Sequence, residues 1–212
     1  MSIFQDSVLP SLYLNHTRSS MIFHAVEFAA KAHDGQYRKV TKIPYIFHPL
    51  QVAGILSECG CTQEVITAAI LHDTVEDAPV SLEEIRENFG EDVAGLVEAA
   101  SEPDKTLSWE ERKRHTLNTL KAAPMDVLLL SCADKLDNIR SLHRDRSRLG
   151  EQIWSQFKRG KEKQAWYYHN LATTFSERAD GEPGTSLFKS FWLEVQRVFP
   201  LQEDAEIRFG WS

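Results

Sequence analysis

Little in this chain suggests disulfides, a membrane or a long anionic partner. Three cysteines in 212 residues, Cys59, Cys61 and Cys132, are too few and too irregularly spaced for a disulfide framework. Cys59-Gly60-Cys61 could be half of a metal site, but no second pair completes it, and small side chains near a helix end are the simpler reading. No run approaches the roughly 20 apolar residues that a bilayer span requires. Met1 to Pro10 has neither the basic start nor the apolar core of a signal peptide, and the Asn15-His16-Thr17 sequon carries little weight without one. These absences lead to the expectation of a reduced, cytoplasmic protein that does not engage a membrane. Positive charge is also scarce: 24 Lys and Arg face 31 Asp and Glu, for a net charge of −7. A nucleic-acid polymer is therefore not an expected partner. A small anion remains open, because a metal ion and a few local cations can reverse the field inside one cleft.

Internal repeats, low-complexity tracts and alternating strand patterns are missing too. What is present is helical periodicity, from about residue 20 onward. Ile22, Phe23, Val26, Ala29 and Ala30 share one face, and the pattern stops near Asp34-Gly35. Residues 35 to 46 read as a polar loop, and helices follow from about Pro49 to Ser57 and from Thr62 through Ile70. Ser81 with Glu84, and Ser108 with Glu111, form two capping boxes that open further helices, with another between them from Glu91 to Ala100. Asp126 to Leu142, Gly150 to Glu177 and Phe188 to Val198 complete the helical segments. The expected architecture is all-α: a single-domain helical bundle over residues 20–200, with an extension at 1–19 and a tail at 201–212.

The chemistry concentrates at Ile70-Leu71-His72-Asp73-Thr74-Val75-Glu76-Asp77. An apolar helix runs straight into four titratable residues, and burying them without partners would cost several kcal/mol. Adjacent helical residues point about 100° apart, so His72 and Asp73 reach one ion only at a helix end, and this run lies at such an end. His48 opens the preceding helix, and Asp134 follows the apolar run Val127 to Leu130. Two imidazoles and two carboxylates suit a hard or borderline divalent ion. Cys132 reads as packing. Arg112-Lys113-Arg114 and the basic run from Lys158 to Lys163 read as solvated helix faces. Trp154, Phe157, Trp166, Tyr167 and Phe175 sit at spacings that suit a buried stripe. His24, His33, His115, His143 and His169 have no partner visible in the sequence.

In order and spacing, four runs resemble the hydrolase domain of the RelA/SpoT homologue family, and especially its single-domain small alarmone hydrolases of the HD type. They are Arg38-Lys39 with Pro44-Tyr45-Ile46-Phe47-His48-Pro49; Ala68 through Asp77; Phe89-Gly90-Glu91-Asp92-Val93; and Ala133-Asp134-Lys135-Leu136-Asp137-Asn138-Ile139-Arg140. The resemblance covers roughly residues 20 to 175. It implies Mn²⁺, or another divalent ion, held by His48, His72, Asp73 and Asp134. Glu76 and Asp77 would be the acidic pair beside the scissile phosphate. Arg38 and Lys39 would contact the nucleotide, and Asn138 and Ser141 the ribose and base, with Tyr168 on the long C-terminal helix. Lys39, Lys135 and Arg140 are candidates to pair with phosphate oxygens, and Arg38 to stack on a base. The implied reaction is hydrolysis of the 3′-diphosphate of ppGpp or pppGpp to GDP or GTP and pyrophosphate, by an enzyme of the stringent response with a small-molecule nucleotide substrate.

The departures bear on substrate. One extra residue separates Arg38-Lys39 from His48, Lys42-Ile43 replaces a usual Gly-Glu, Asp137 a usual histidine and Ser131 a frequent lysine. Alternatives therefore stay open: an HD phosphohydrolase of another nucleotide such as ppApp or NADPH, or a non-catalytic nucleotide-sensing module. Nothing in the sequence fixes an oligomeric state.

Overall fold

The computed structural model describes residues 11–102 and 106–201, the side chains of residues 11–20 excepted. The first ten residues, and the expected tail after Leu201, lie outside the described residues. The described chain is all-α: α1 (Ser11–Ala32), α2 (Phe47–Glu58), α3 (Gln63–Leu71), α4 (Thr74–Asp77), α5 (Leu82–Phe89), α6 (Glu91–Ala100), α7 (Trp109–Leu120), α8 (Met125–Leu149), α9 (Gly160–Glu177) and α10 (Gly184–Val198). The expected start near residue 20 falls inside α1, which is one uninterrupted helix from Ser11. Both capping boxes form: Ser81 and Glu84 open α5, and Ser108 and Glu111 open α7. Among the described residues, no helix is long and apolar enough to cross a membrane.

The helix expected from Gly150 to Glu177 is two pieces. Gly150 (φ 60°) ends α8 and starts a 3₁₀ segment, Gly150–Gln156; Phe157 is extended, and Gly160 (φ 69°) opens α9. Periodicity alone does not see these two glycines, which supply the left-handed backbone that turns the chain. The loop at 35 to 46 is also more ordered than its polarity suggests. Tyr37 pairs with Pro44 in an isolated antiparallel bridge, and the Arg38 N–H donates to the Ile43 carbonyl at 2.9 Å. The extra residue noted in the sequence is absorbed where Lys42 adopts φ 60° and its N–H donates back to the Arg38 carbonyl. Arg38 is thus fixed at the base of a short hairpin rather than on a loose loop.

α8 is the central element, packing against α2, α3, α6 and α10. Leu128, Leu130, Cys132, Ala133, Leu136 and Ile139 are all buried along it, so Cys132 is a core residue as expected. The aromatic stripe on α9 is partly realised: Phe175 and Tyr167 are buried, whereas Trp154, Phe157 and Trp166 are half-buried. Phe175 stacks on Phe188 (centroids 5.2 Å, 16°) and meets Phe191 edge-on at 5.4 Å. Phe175→Ala should therefore cost about 3–5 kcal/mol of stability, because the cavity lies between two helices that cannot both collapse into it. Chemical denaturation at fixed metal concentration would show it as a lower midpoint with an unchanged slope.

Candidate active site

α3 ends at Leu71, with His72 as its C-cap residue, and α4 begins after Asp73. The break is what allows two sequence neighbours to serve one point. His72 Nε2 lies 3.2 Å from Asp73 Oδ2, and His48 Nε2 lies 3.5 Å from the same oxygen. Asp134, in the first half of α8, brings Oδ1 to 3.1 Å from His48 Nε2 and 3.8 Å from His72 Nε2. Donor atoms of His48, His72 and Asp134 all fall within 4.8 Å of one another, and all three residues are buried. Asp73, the fourth expected ligand, touches both imidazoles and accepts the Tyr45 hydroxyl at 2.7 Å.

The protonation geometry fits a cation. His72 Nδ1 donates to the Ala69 carbonyl at 2.7 Å, while its buried Nε2 has no hydrogen-bond partner among the described residues. His48 Nδ1 faces Asp137 Oδ2 at 2.7 Å, which likewise turns Nε2 toward the cluster. A carboxylate or carbonyl behind each imidazole fixes its tautomer and orientation, as metal-bound histidines require. Burial opposes charge on His48, but hydrogen bonds to Asp134 and Asp137 win and its pKa lies above the ordinary value. For His72, Asp73 and Asp134 outweigh burial in the same direction. Burial pushes the Asp73 and Asp134 carboxyls up, yet His72 (for Asp73) and Lys135 with the imidazoles (for Asp134) hold both below the usual range. Raised imidazole and lowered carboxyl pKa values mark a site rich in negative charge, which a divalent ion would offset.

Two clefts lie beside Arg38, and the second of them reaches His48. One, of about 260 Å³, is lined by Arg38, Lys39, Asn138, Ser141 and Tyr168, with Val40, Phe157 and Asp145 among its walls. The other, about 390 Å³, shares Arg38, Ser141 and Asp145 and adds Phe47, Arg144 and Arg148. A further cleft of about 560 Å³ is lined by Glu76, Glu102, His115, Thr116 and Ser131.

A model of the HD domain matches residues 25–162. The chain belongs to the HD-domain family. Curated relatives include a guanosine-3′,5′-bis(diphosphate) 3′-pyrophosphohydrolase of Aquifex aeolicus, 43% identical over 136 residues, or 63% of this chain and 19% of that protein. The Xenopus tropicalis enzyme of that name, MESH1, is 46% identical over 59% of this chain and 72% of its own length. Among solved structures, a metazoan orthologue of SpoT that hydrolyses ppGpp superposes with a TM-score of 0.70 at 29% identity, covering 86% of this chain and 97% of that one. A Listeria monocytogenes protein does so with a TM-score of 0.67 at 38% identity, covering 76% and 99%.

Around this HD-type centre, the expected substrate residues divide. Arg38, Lys39, Asn138, Ser141 and Tyr168 line one cleft together. Lys135 pairs with Asp134 at 2.5 Å, beside the histidine–aspartate cluster. Arg140 stands apart: on α8 it lies about 120° from Asp134 around the helix axis, and it lines none of the three clefts. Glu76 is half-buried, and its Oε1 accepts the Glu102 N–H at 2.6 Å. Asp77 is exposed, and its carbonyl accepts from Gln36 at 2.6 Å.

Some participants escaped the sequence reading. Asp137, noted only as a departure, is 2% exposed and accepts both His48 Nδ1 and, at 2.6 Å, Arg38 Nη2. Asn138 bridges the same group, accepting Arg38 Nη1 at 3.1 Å and donating to Asp134 Oδ1 at 2.6 Å. Lys113 is not a solvated residue of a helix face: its side chain is 14% exposed, pairs with Glu102 and lies over the Tyr167 ring at 4.8 Å. It steadies the residue whose N–H holds Glu76. Asp137→Asn keeps the shape but removes the charge behind His48, and should weaken metal affinity by about 10–100-fold. Titration of the metal-free protein with Mn²⁺ by calorimetry would read the change, and an unaltered dissociation constant would contradict the role.

Proposed function

We propose that this chain is a metal-dependent (p)ppGpp 3′-pyrophosphohydrolase: water displaces the 3′-oxygen from its phosphorus, releasing pyrophosphate and GDP or GTP. The observation that carries the reading is the buried pair of imidazoles whose Nε2 atoms converge on Asp134 and Asp73, with His48 also lining a cleft that holds Arg38, Arg144 and Arg148. The relatives' activity supports the same assignment. His48, His72, Asp73 and Asp134 would hold the ion, with Mn²⁺ the preferred one; when bound, it polarises a phosphoryl oxygen and acidifies water.

The chain's own residues supply the rest. Burial raises the Glu76 carboxyl above its ordinary pKa, the direction a proton acceptor for water needs. Asp77, exposed at the end of α4, shares the task of orienting that water. Lys135, whose ammonium the adjacent Asp134 keeps charged against its burial, would neutralise phosphate oxygens. Arg38 spans the hairpin and α8, setting the distance between the nucleotide cleft and His48. Incubation of the purified protein with ppGpp, with and without Mn²⁺, tests the proposal by scoring GDP and pyrophosphate. Metal-dependent release of both in equal amounts is expected. Release of neither by protein shown to hold metal would overturn it.

A further inference from the structure

If a nucleotide occupies the cleft of Arg38 and Tyr168, one residue there has a chemistry that the reaction does not use. Asp145 is 7% exposed and lines both clefts beside Arg38. Arg148, Arg144 and Arg38 are its charged neighbours, yet no hydrogen bond or ion pair engages its carboxylate among the described residues. Arg38 is committed to Asp137 and Asn138, and the nearest carboxylate oxygen to Arg144 is that of Asp137, at 4.0 Å. Its oxygens face the clefts rather than the core, so their donors come from solvent or from a ligand seated there.

We propose that Asp145 selects guanine: its two oxygens accept N1–H and the 2-amino group of a base seated between Tyr168 and Phe157. Guanine presents two parallel donors on that edge, which a carboxylate accepts as a bidentate pair. Adenine places the N1 lone pair where guanine has N1–H, so the same carboxylate repels it. The position on α8 agrees. Asp134 and Asp145 are eleven residues apart, which puts them within about 20° of one face and about 16 Å apart along the axis. An extended nucleoside 3′-diphosphate spans that interval, with one end at the metal ligands and the other at the base. Ser141 lies between them on α8 and lines the cleft with Asp145. Burial also raises the Asp145 carboxyl above its ordinary pKa, against the pull of the arginines, consistent with a group short of donors.

The inference rests on the proposed nucleotide reaction, so its test separates the two. kcat/KM is measured for ppGpp and ppApp with the Mn²⁺-loaded wild type and with Asp145→Asn, alongside calorimetric binding of GDP and ADP. Thermal unfolding and metal content establish that the variant is folded and loaded. The wild type should prefer ppGpp by about 30-fold or more, and Asp145→Asn should bring the ratio to within about threefold of unity. An inosine analogue, which lacks the 2-amino group, should fall between guanine and adenine in the wild type. A ratio unchanged by Asp145→Asn overturns the guanine contact while leaving the hydrolase standing. No hydrolysis of either nucleotide, but an Asp145-dependent preference for GDP over ADP, overturns the reaction and upholds the contact. Equal binding of GDP and ADP by the wild type overturns it outright.

Discussion

Asp134→Ala should leave the protein folded but unable to retain a stoichiometric divalent ion, with turnover lower by at least about 10³-fold. Asp134 has no substitute. Its Oδ1 is within reach of both His48 and His72, and it sits on α8, which Leu130, Ala133 and Leu136 anchor in the core. Removing it also strands Lys135, whose ammonium is held up by Asp134 against burial. Some loss of stability should accompany the loss of metal. Elemental analysis of the purified variant separates the two effects: folded protein carrying one ion per chain would refute the ligand assignment.

The wild-type site should show the matching pH dependence. Without metal, the pKa values of His48 and His72 lie above the ordinary 6.5, so both imidazoles still carry protons at a pH where free histidine has lost them. Ligation needs the neutral ring. Metal affinity should therefore fall as pH drops through those raised values, with a slope approaching two protons displaced per ion. A pH-independent dissociation constant between about pH 6 and 8 would show that the histidines are not ligands.

The sequence made the residues of this cluster legible because each one breaks an apolar segment. His72 and Asp73 end α3, His48 opens α2, and Asp134 follows four buried aliphatic residues of α8. Local rules also sufficed for the capping boxes, since both partners lie within one turn. What stayed hidden depends on partners far away in the chain. Asp137 acquires its role only when α2, 89 residues earlier, sets His48 Nδ1 against it. Lys113 reads as one cation in a basic run until the chain leaving α6 delivers Glu102. Asp145 carries no motif of its own, and only the fold sets it in the wall it shares with Arg38, Val40 and Phe157. Arg140 errs in the opposite sense. It belongs to the motif run, but the helical phase turns it away from the Asp134–Asn138–Ser141 face.

Glu76→Gln combined with Asp77→Asn should retain the metal and lose about 10²–10⁴-fold in kcat, which separates the chemistry from ligation. Neither side chain is part of the buried His48–His72–Asp134 cluster, so the ion should remain. Both replacements preserve size and hydrogen-bonding capacity. The carboxamide oxygen introduced by Glu76→Gln can still accept the Glu102 N–H, which keeps the end of α6 in register with α4. What is lost is a negative charge able to take a proton from water, at a position where burial has already raised the carboxyl toward that task. KM for ppGpp should change little or fall, because removing two carboxylates near the scissile phosphate relieves charge repulsion with the substrate. The single variants decide how the pair divides its work. If Glu76→Gln alone reproduces the full loss, Glu76 accepts the proton and Asp77 orients. If both are needed, the proton passes to whichever carboxylate faces the water. Wild-type kcat in the double variant, with one ion bound, would remove the pair from the reaction and move the proton acceptor to another group.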